Sequence, residues 1–312
     1  MSDKRVYGLM VLTTLFWAGA FIAGKLSIAQ FPPFALTFFR FLIALVPVFL
    51  ILIWREPGNW MPRRHEWAAY ATLGFIGIFM YHALFFTCLR YTTAVNSSLI
   101  AATNPMMVML LAFLFMRERV TGCKIIGLLL SFGGVFLTVT NGDWAIVSGL
   151  RFNPGDLLML AAVFCWAIYG ILSRRMMEKY RISPLKVTVY TFLVCVLISA
   201  PLAWWETPSL EWGAGSDGWM AVVYMAIFPS VLGYLFNLIA IQRIGAPRAA
   251  VFINLVPVFT LALSALVLGD VPGPLKLVSA AIIIVGVYLG TRPDAPLVTP
   301  IKQAEESMAA AN

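Results

Sequence analysis

The chain is 312 residues long, 61% hydrophobic and only 12% charged, with a formal net charge of +8. Soluble domains carry about 25% charge and do not repeat apolar runs of roughly 20 residues from end to end, so a soluble domain is excluded and an all-α polytopic membrane protein remains. The basic excess does not call for nucleic acid, because Lys and Arg also mark cytoplasmic loops.

Apolar runs between charged or Pro/Gly breaks predict ten spans, at 6–24, 34–53, 67–89, 95–116, 123–140, 156–173, 185–204, 218–241, 247–268 and 274–291. Each can cross a hydrocarbon core of ~30 Å as helix. Barrel strands would be shorter and would alternate apolar with polar residues, which these do not. Lys4 and Arg5 before the first run imitate a signal peptide. Yet Trp17-Ala18 has a counterpart in Trp166-Ala167, 149 positions on, so the run counts as the first span. With the N-terminus inside, the inner segments hold 17 Lys and Arg and the outer ones 4, with Arg40 inside a span. That bias predicts both termini in the cytoplasm. Residues 141–155 then form an outer linker, with Asn153-Pro154-Gly155 as its turn. The other outer loop, Glu206 to Asp217, is acidic and lacks Lys and Arg. The tail, 292–312, is polar, expected to be disordered and dispensable. Cys88, Cys123, Cys165 and Cys195 lack metal-site spacing, so free thiols, no metal and no cofactor are expected.

Shifted by 152 positions, residues 67–138 fall without a gap on 219–290. Trp67 meets Trp219, Pro105 meets Pro257, Glu118 meets Asp270, Lys124 meets Lys276 and Gly134 meets Gly286. Apolar segments resemble one another cheaply; the prolines, polar turns and run lengths carry the match. A period this long reads as a duplicated half-protein, not a solenoid. Five spans per half is odd, so equivalent helices run in opposite directions, which makes two inverted five-helix repeats. The division is 1–140, a linker at 141–155, and 156–291.

Pro105 and Pro257 each stand near the middle of an apolar run, where a proline removes a helical hydrogen bond. In lipid the freed carbonyl needs protein or a wet cavity, and paired breaks in two halves point to a midplane site. A plain kink is the alternative for either one alone. Asn104, Asn237, Asn254 and Tyr234 cluster near these breaks and either meet a partner helix or face a ligand. Arg40 and His82 are the two readily charged groups well inside spans. Arg40 either snorkels to the outer headgroups or recognises an anion. His82 either rests neutral on a carbonyl or carries a transported proton. No Asp or Glu lies in a span core, so a carboxylate-based ion site is not expected. Trp17 and Trp166, repeat-equivalent, face one shared cavity or pack; Tyr169 also lies inside a span. Small-residue steps at Gly286 and Gly290, and at Gly127, Gly133 and Gly134, serve packing within one chain or a seam between two copies.

Leu15-Phe16-Trp17-Ala18-Gly19-Ala20-Phe21 resembles the first-helix W-G-x-N-F pattern of a known family. Phe39-Arg40-Phe41, Tyr91-Thr92-Thr93-Ala94 leading to Pro105, and Phe115-Met116-Arg117-Glu118-Arg119 follow in order. Across residues 6–291 the chain resembles an EamA-type member of the drug/metabolite transporter superfamily. The resemblance implies ten helices, two inverted repeats, a central cavity and carriage of small metabolites, often amino acids or other polar organic compounds, commonly outward. Ala18 and Ala20 depart from the family's Gly and Asn, and Leu268-Gly269-Asp270 from its Leu-x-Glu. Glu118 matches the family's acidic residue after the fourth helix; beside Arg117, Arg119 and Lys124 it reads as a cytoplasmic salt-bridge or helix-end residue.

A secondary carrier in a bacterial inner membrane is the leading expectation. Its partners would be a small-molecule substrate and the bilayer, with proton coupling and a homodimer left open. A membrane-embedded lipid-modifying enzyme or a receptor is the alternative; neither HExxH nor paired intramembrane carboxylates speak for an enzyme.

Overall fold

The computed structural model of the chain describes residues 3–116, 122–143, 152–207 and 215–291. The described residues are helical or in short connections, and contain no strand. In chain order the helices are α1 (Asp3–Ser27), α2 (Pro33–Arg55), α3 (Arg64–Tyr91), α4 (Ala94–Ala101 continued by Asn104–Met116), α5 (Gly122–Thr140), α6 (Pro154–Tyr180), α7 (Pro184–Glu206), α8 (Ser216–Ile244), α9 (Ala246–Val251 continued to Leu268) and α10 (Pro274–Thr291). Eight of these, α1–α4 and α6–α9, are long and apolar enough to cross a membrane; α5 and α10 contribute shorter apolar stretches.

Local chemistry sets the helix starts. Pro33, Pro154 and Pro184 stand in first turns, where a missing N–H costs nothing. Thr93, Asn153 and Ser183 cap α4, α6 and α7, accepting from the backbone N–H groups of Asn96, Gly155 and Lys186. Asn153-Pro154-Gly155 is therefore a cap and a first helical turn, not a separate turn. Several helices outrun their apolar segments, α1 beginning at Asp3 and α3 at Arg64. Backbone hydrogen bonding continues past the point where side chains need to be apolar. Gly245 joins α8 to α9 at φ +88°, a conformation that disfavours any side chain. Glu118 and its neighbours, residues 144–151 of the linker and the tail 292–312 lie outside the described residues.

The repeat is visible in packing. Gly134 of α5 lies against Ser279 and Ile283 of α10, and Gly286 of α10 lies against Gly127 and Ser131 of α5. Each partner is the other's counterpart 152 positions on, as Ser131 and Ile283 are in their own hydrogen bond. The pairing is antiparallel and reciprocal, as a two-fold relation requires. The small residues at 127, 134 and 286 thus serve packing within the chain. The second helices behave alike: Phe41 of α2 meets Phe192 of α7 with ring centroids 4.7 Å apart. The α7 C-terminus reaches the α2 N-terminus, where the Glu206 carboxylate accepts from Phe34 N at 2.7 Å and Ala35 N at 3.1 Å. A carboxylate there satisfies open donors and complements the helix dipole.

At the other end of α7, Lys186 is fully buried, with Nζ 2.9 Å from Glu66 Oε2. Tyr70 donates to the same oxygen, at 3.1 Å. Lys186, in the first turn of α7, is thus a paired charge inside the bundle. An apolar run reports composition, not a charge partner some 120 residues earlier in the chain.

Departures from α geometry were invisible in the apolar runs, among them a π turn at Ser264–Leu268 in α9. Gly74–Met80 in α3 and Ala226–Gly233 in α8 are π-helical, and the two stretches are repeat-equivalent. Wide turns of this kind are frequent at functional sites. The expected breaks at Pro105 and Pro257 are also displaced. α4 is interrupted at Ala102–Thr103 and α9 passes through a 3-10 turn at Phe252–Asn254. Each proline then falls in the first turn of the continuing helix, where it is tolerated.

Candidate functional site

A cavity opens where these irregular stretches converge. Its walls are Trp17, Ala20 and Phe21 of α1, Arg40 of α2, Tyr81, His82 and Phe85 of α3, and Ala101 and Asn104 of α4, with Val163 and Trp166 of α6, Tyr234 of α8, and Ile253 and Val256 of α9. The space open to the centres of water-sized spheres is ≈ 40 Å³. That volume holds a few waters or a small head group. Four pairs of wall residues are repeat-equivalent: Trp17 with Trp166, His82 with Tyr234, Ala101 with Ile253 and Asn104 with Val256. The cavity therefore straddles the two-fold relation between the halves.

The equivalents also touch. Trp17 and Trp166 meet edge to face at 5.5 Å. Tyr234 Oη lies 3.5 Å from His82 Nε2, and Trp17 Nε1 donates to the Pro229 carbonyl at 3.2 Å in the π stretch of α8. His82 Nδ1 is 2.7 Å from the Ile78 carbonyl, which can only accept, so Nδ1 carries the proton and Nε2 presents its lone pair. The carbonyl-bound reading of His82 therefore describes its resting contact.

Arg40 does not snorkel. It is 2% exposed and lines the cavity. Its Nε donates to Ser230 Oγ at 2.8 Å, and its guanidinium lies over Phe41 and Phe86 at 5.4 and 5.8 Å. Ser230 gives its own proton to the Met225 carbonyl, five residues back, a reach that suits the π turn around it. Among the described residues no carboxylate pairs with Arg40, and the cavity wall holds no Asp or Glu.

Six of the eleven residues singled out from sequence line this cavity: Trp17, Arg40, His82, Asn104, Trp166 and Tyr234. Asn237 faces a smaller adjoining space, which Asn104, Trp166 and Ile253 also border. Tyr169 stands behind the wall, stacked on Trp166 at 5.1 Å and pressed against Gly77 in the π stretch of α3. Pro105, Pro257 and Asn254 are buried beside the breaks and line neither space. Of the wall residues not singled out, Tyr81 and Phe85 follow the π stretch of α3. Pro229, inside α8, was the one sequence signal for such a stretch.

The profile of the EamA-like transporter family matches residues 4–140 and again 153–292. An uncharacterised transporter of Bacillus subtilis, YyaM, is 32% identical over 295 residues, covering 92% of this chain and 93% of its own. An uncharacterised transporter of Archaeoglobus fulgidus is 31% identical, covering 93% and 98%. A probable terminal-alkyne amino-acid exporter of Streptantibioticus cattleyicolor is 27% identical, covering 93% and 94%. One solved crystal structure shares the fold at a TM-score of 0.68 and 23% identity, over 93% of this chain and 98% of that one. Two family matches spanning both halves, around a cavity where the halves meet, make this chain a member of the EamA-like transporter family.

Proposed function

We propose that the protein is a secondary transporter that moves a small polar organic solute, an amino acid or similar compound, outward by alternating access. The reading takes α1–α10 as ten transmembrane helices in two inverted five-helix repeats, 1–140 and 156–291, joined by an outer linker at 141–155. It places both termini, including the tail 292–312, on the cytoplasmic side of a bacterial inner membrane. The observation that carries it is the cavity between the halves, walled by four pairs of repeat-equivalent residues. Inverted-repeat carriers bind solute at that interface and expose it to each side by rocking one half against the other. The relative named as a probable amino-acid exporter supports both the solute class and the direction.

In this reading Trp17, Arg40, His82, Asn104, Trp166 and Tyr234 meet the solute. Tyr169 and Asn237 support the wall, while Pro105, Asn254 and Pro257 act at a distance by setting the breaks. The test is a metabolite-export profile of cells with and without the chain, repeated with Trp17→Ala and Trp166→Ala. Wild type should excrete at least one solute that both variants retain at equal membrane expression. Equal profiles for all strains would remove the carrier reading. A proton carried through His82 would make export pH-dependent in wild type and not in His82→Ala; an unchanged pH profile removes His82 from coupling.

A further inference from the structure

We infer that the solute is an organic carboxylate, held by the two terminal nitrogens of Arg40, and that the site rejects cations; this deepens the carrier reading and rests on it. A guanidinium buried away from water needs an anion or a full set of acceptors. Arg40 has neither among the described residues. Its one hydrogen bond among the described residues uses Nε, and its remaining contacts are ring faces. The titratable groups around it are the phenols of Tyr81, Tyr224 and Tyr234, the imidazole of His82 and the thiol of Cys195. None is a carboxylate.

Ser230 fixes the fork. The hydroxyl has one proton, and the Met225 carbonyl takes it at 2.8 Å, so towards Arg40 Nε it acts as acceptor. With Nε tied back, both terminal nitrogens are left for a second partner, and two parallel N–H donors match the two oxygens of a carboxylate. Ser230 is thus a positioning residue.

The charge sits on one side only. The Phe41 and Phe192 pair aligns Arg40 with Thr191, a buried residue whose hydroxyl is spent on the Val187 and Thr188 carbonyls. A bound carboxylate would therefore lie off the two-fold axis, beside α2 and α8. The rest of the ligand would lie on the axis, against the rings of Trp17, Trp166 and Tyr81. The apolar and aromatic wall around Arg40 favours a ligand with one charged group and an apolar body.

The test uses the full chain in proteoliposomes and matched solutes: phenylacetate against phenylacetamide, L-phenylalanine against its amide, and tetramethylammonium as the cation. Carboxylates should quench tryptophan fluorescence and be transported with at least ten-fold preference over their amides, and tetramethylammonium should do neither. Acetate should compete with phenylacetate in wild type, a measurement that needs no variant to fold. Arg40→Gln should abolish the acid-over-amide preference, Arg40→Lys should keep part of it, and Ser230→Ala should reduce it several-fold. If wild type carries amides or cations as well as acids, and Arg40→Gln carries all of them at wild-type rates, the carboxylate inference falls while the carrier reading stands. If no solute of any charge crosses, in either orientation and with or without an imposed ion gradient, the carrier reading falls and this inference with it.

Discussion

Single residues decide how tightly the cavity wall is built. Gly77 lies in the π stretch of α3 with the Tyr169 ring against its Cα, so a side chain at 77 would enter that ring. Tyr169 in turn backs Trp166, and both lie within ring-contact distance of Tyr234. Gly77→Ala therefore overpacks a rigid aromatic stack, a change that costs about 1–3 kcal/mol. The expected result is a lower melting temperature in detergent. Tyr169→Ala should tolerate Gly77→Ala with little further loss, because the clash has gone. A double-mutant cycle of melting temperatures checks this, and additive losses would show that the two positions do not share one contact. The sequence offered Trp17, Trp166, Tyr169 and Tyr234 as aromatics inside spans, and could not tell wall from backing. For Tyr234 the distinction depends on the phase set by the π turn before it in α8, which adds an extra residue, and for Trp166 and Tyr169 on which face of the regular helix α6 meets α1 and α3.

At the scale of helices, irregular turns and buried ends matter more than apolar length. Eight of the ten apolar runs fall on helices long and apolar enough to cross a membrane, legible because lipid demands such runs, and the half-protein repeat was legible because prolines and polar turns kept step over 152 positions. The ends were not legible. Glu66 and Lys186 each look like a helix-flanking charge, yet the chain buries both and brings them within 2.9 Å. Removing one member of a buried pair leaves the other uncompensated, at about 3–5 kcal/mol. This pair lies at the starts of α3 and α7, at one end of the bundle, so the low end of that range applies. Lys186→Met should lower the melting temperature markedly, and Glu66→Leu combined with Lys186→Met should recover most of it. Thermal melting of purified protein separates the cases: a double variant no better than the single would mean that Tyr70 and the Arg63 backbone N–H, which donate to Glu66, matter more than Lys186. Pro105 and Pro257 teach a related lesson. They marked the correct turns of α4 and α9, but the residues facing the cavity are their neighbours, Ala101, Asn104, Ile253 and Val256. A proline reports where a helix restarts, not which way its side chains point.

Across the whole molecule, the two halves are tied together at both ends of α7. At one end Lys186 of the second half pairs with Glu66 of the first. At the other, Glu206 of the second half caps α2 of the first through two backbone N–H bonds. Because α7 runs the length of the bundle between these ties, they lie at opposite faces, with the small cavity between them. A carrier that alternates must loosen one tie while the other holds. Each tie should then control entry from its own face only. A cysteine at Ala101, on the cavity wall, reports this in a background where the four native cysteines are replaced. Lys186→Met should speed its reaction with a membrane-impermeant thiol reagent several-fold from the face that bears the α7 N-terminus. Glu206→Ala should do the same from the opposite face. Sealed vesicles of both orientations distinguish the two. Equal acceleration from both faces by either variant would mean that the ties only stabilise the fold, and that rocking of the halves about α7 is not how the cavity opens.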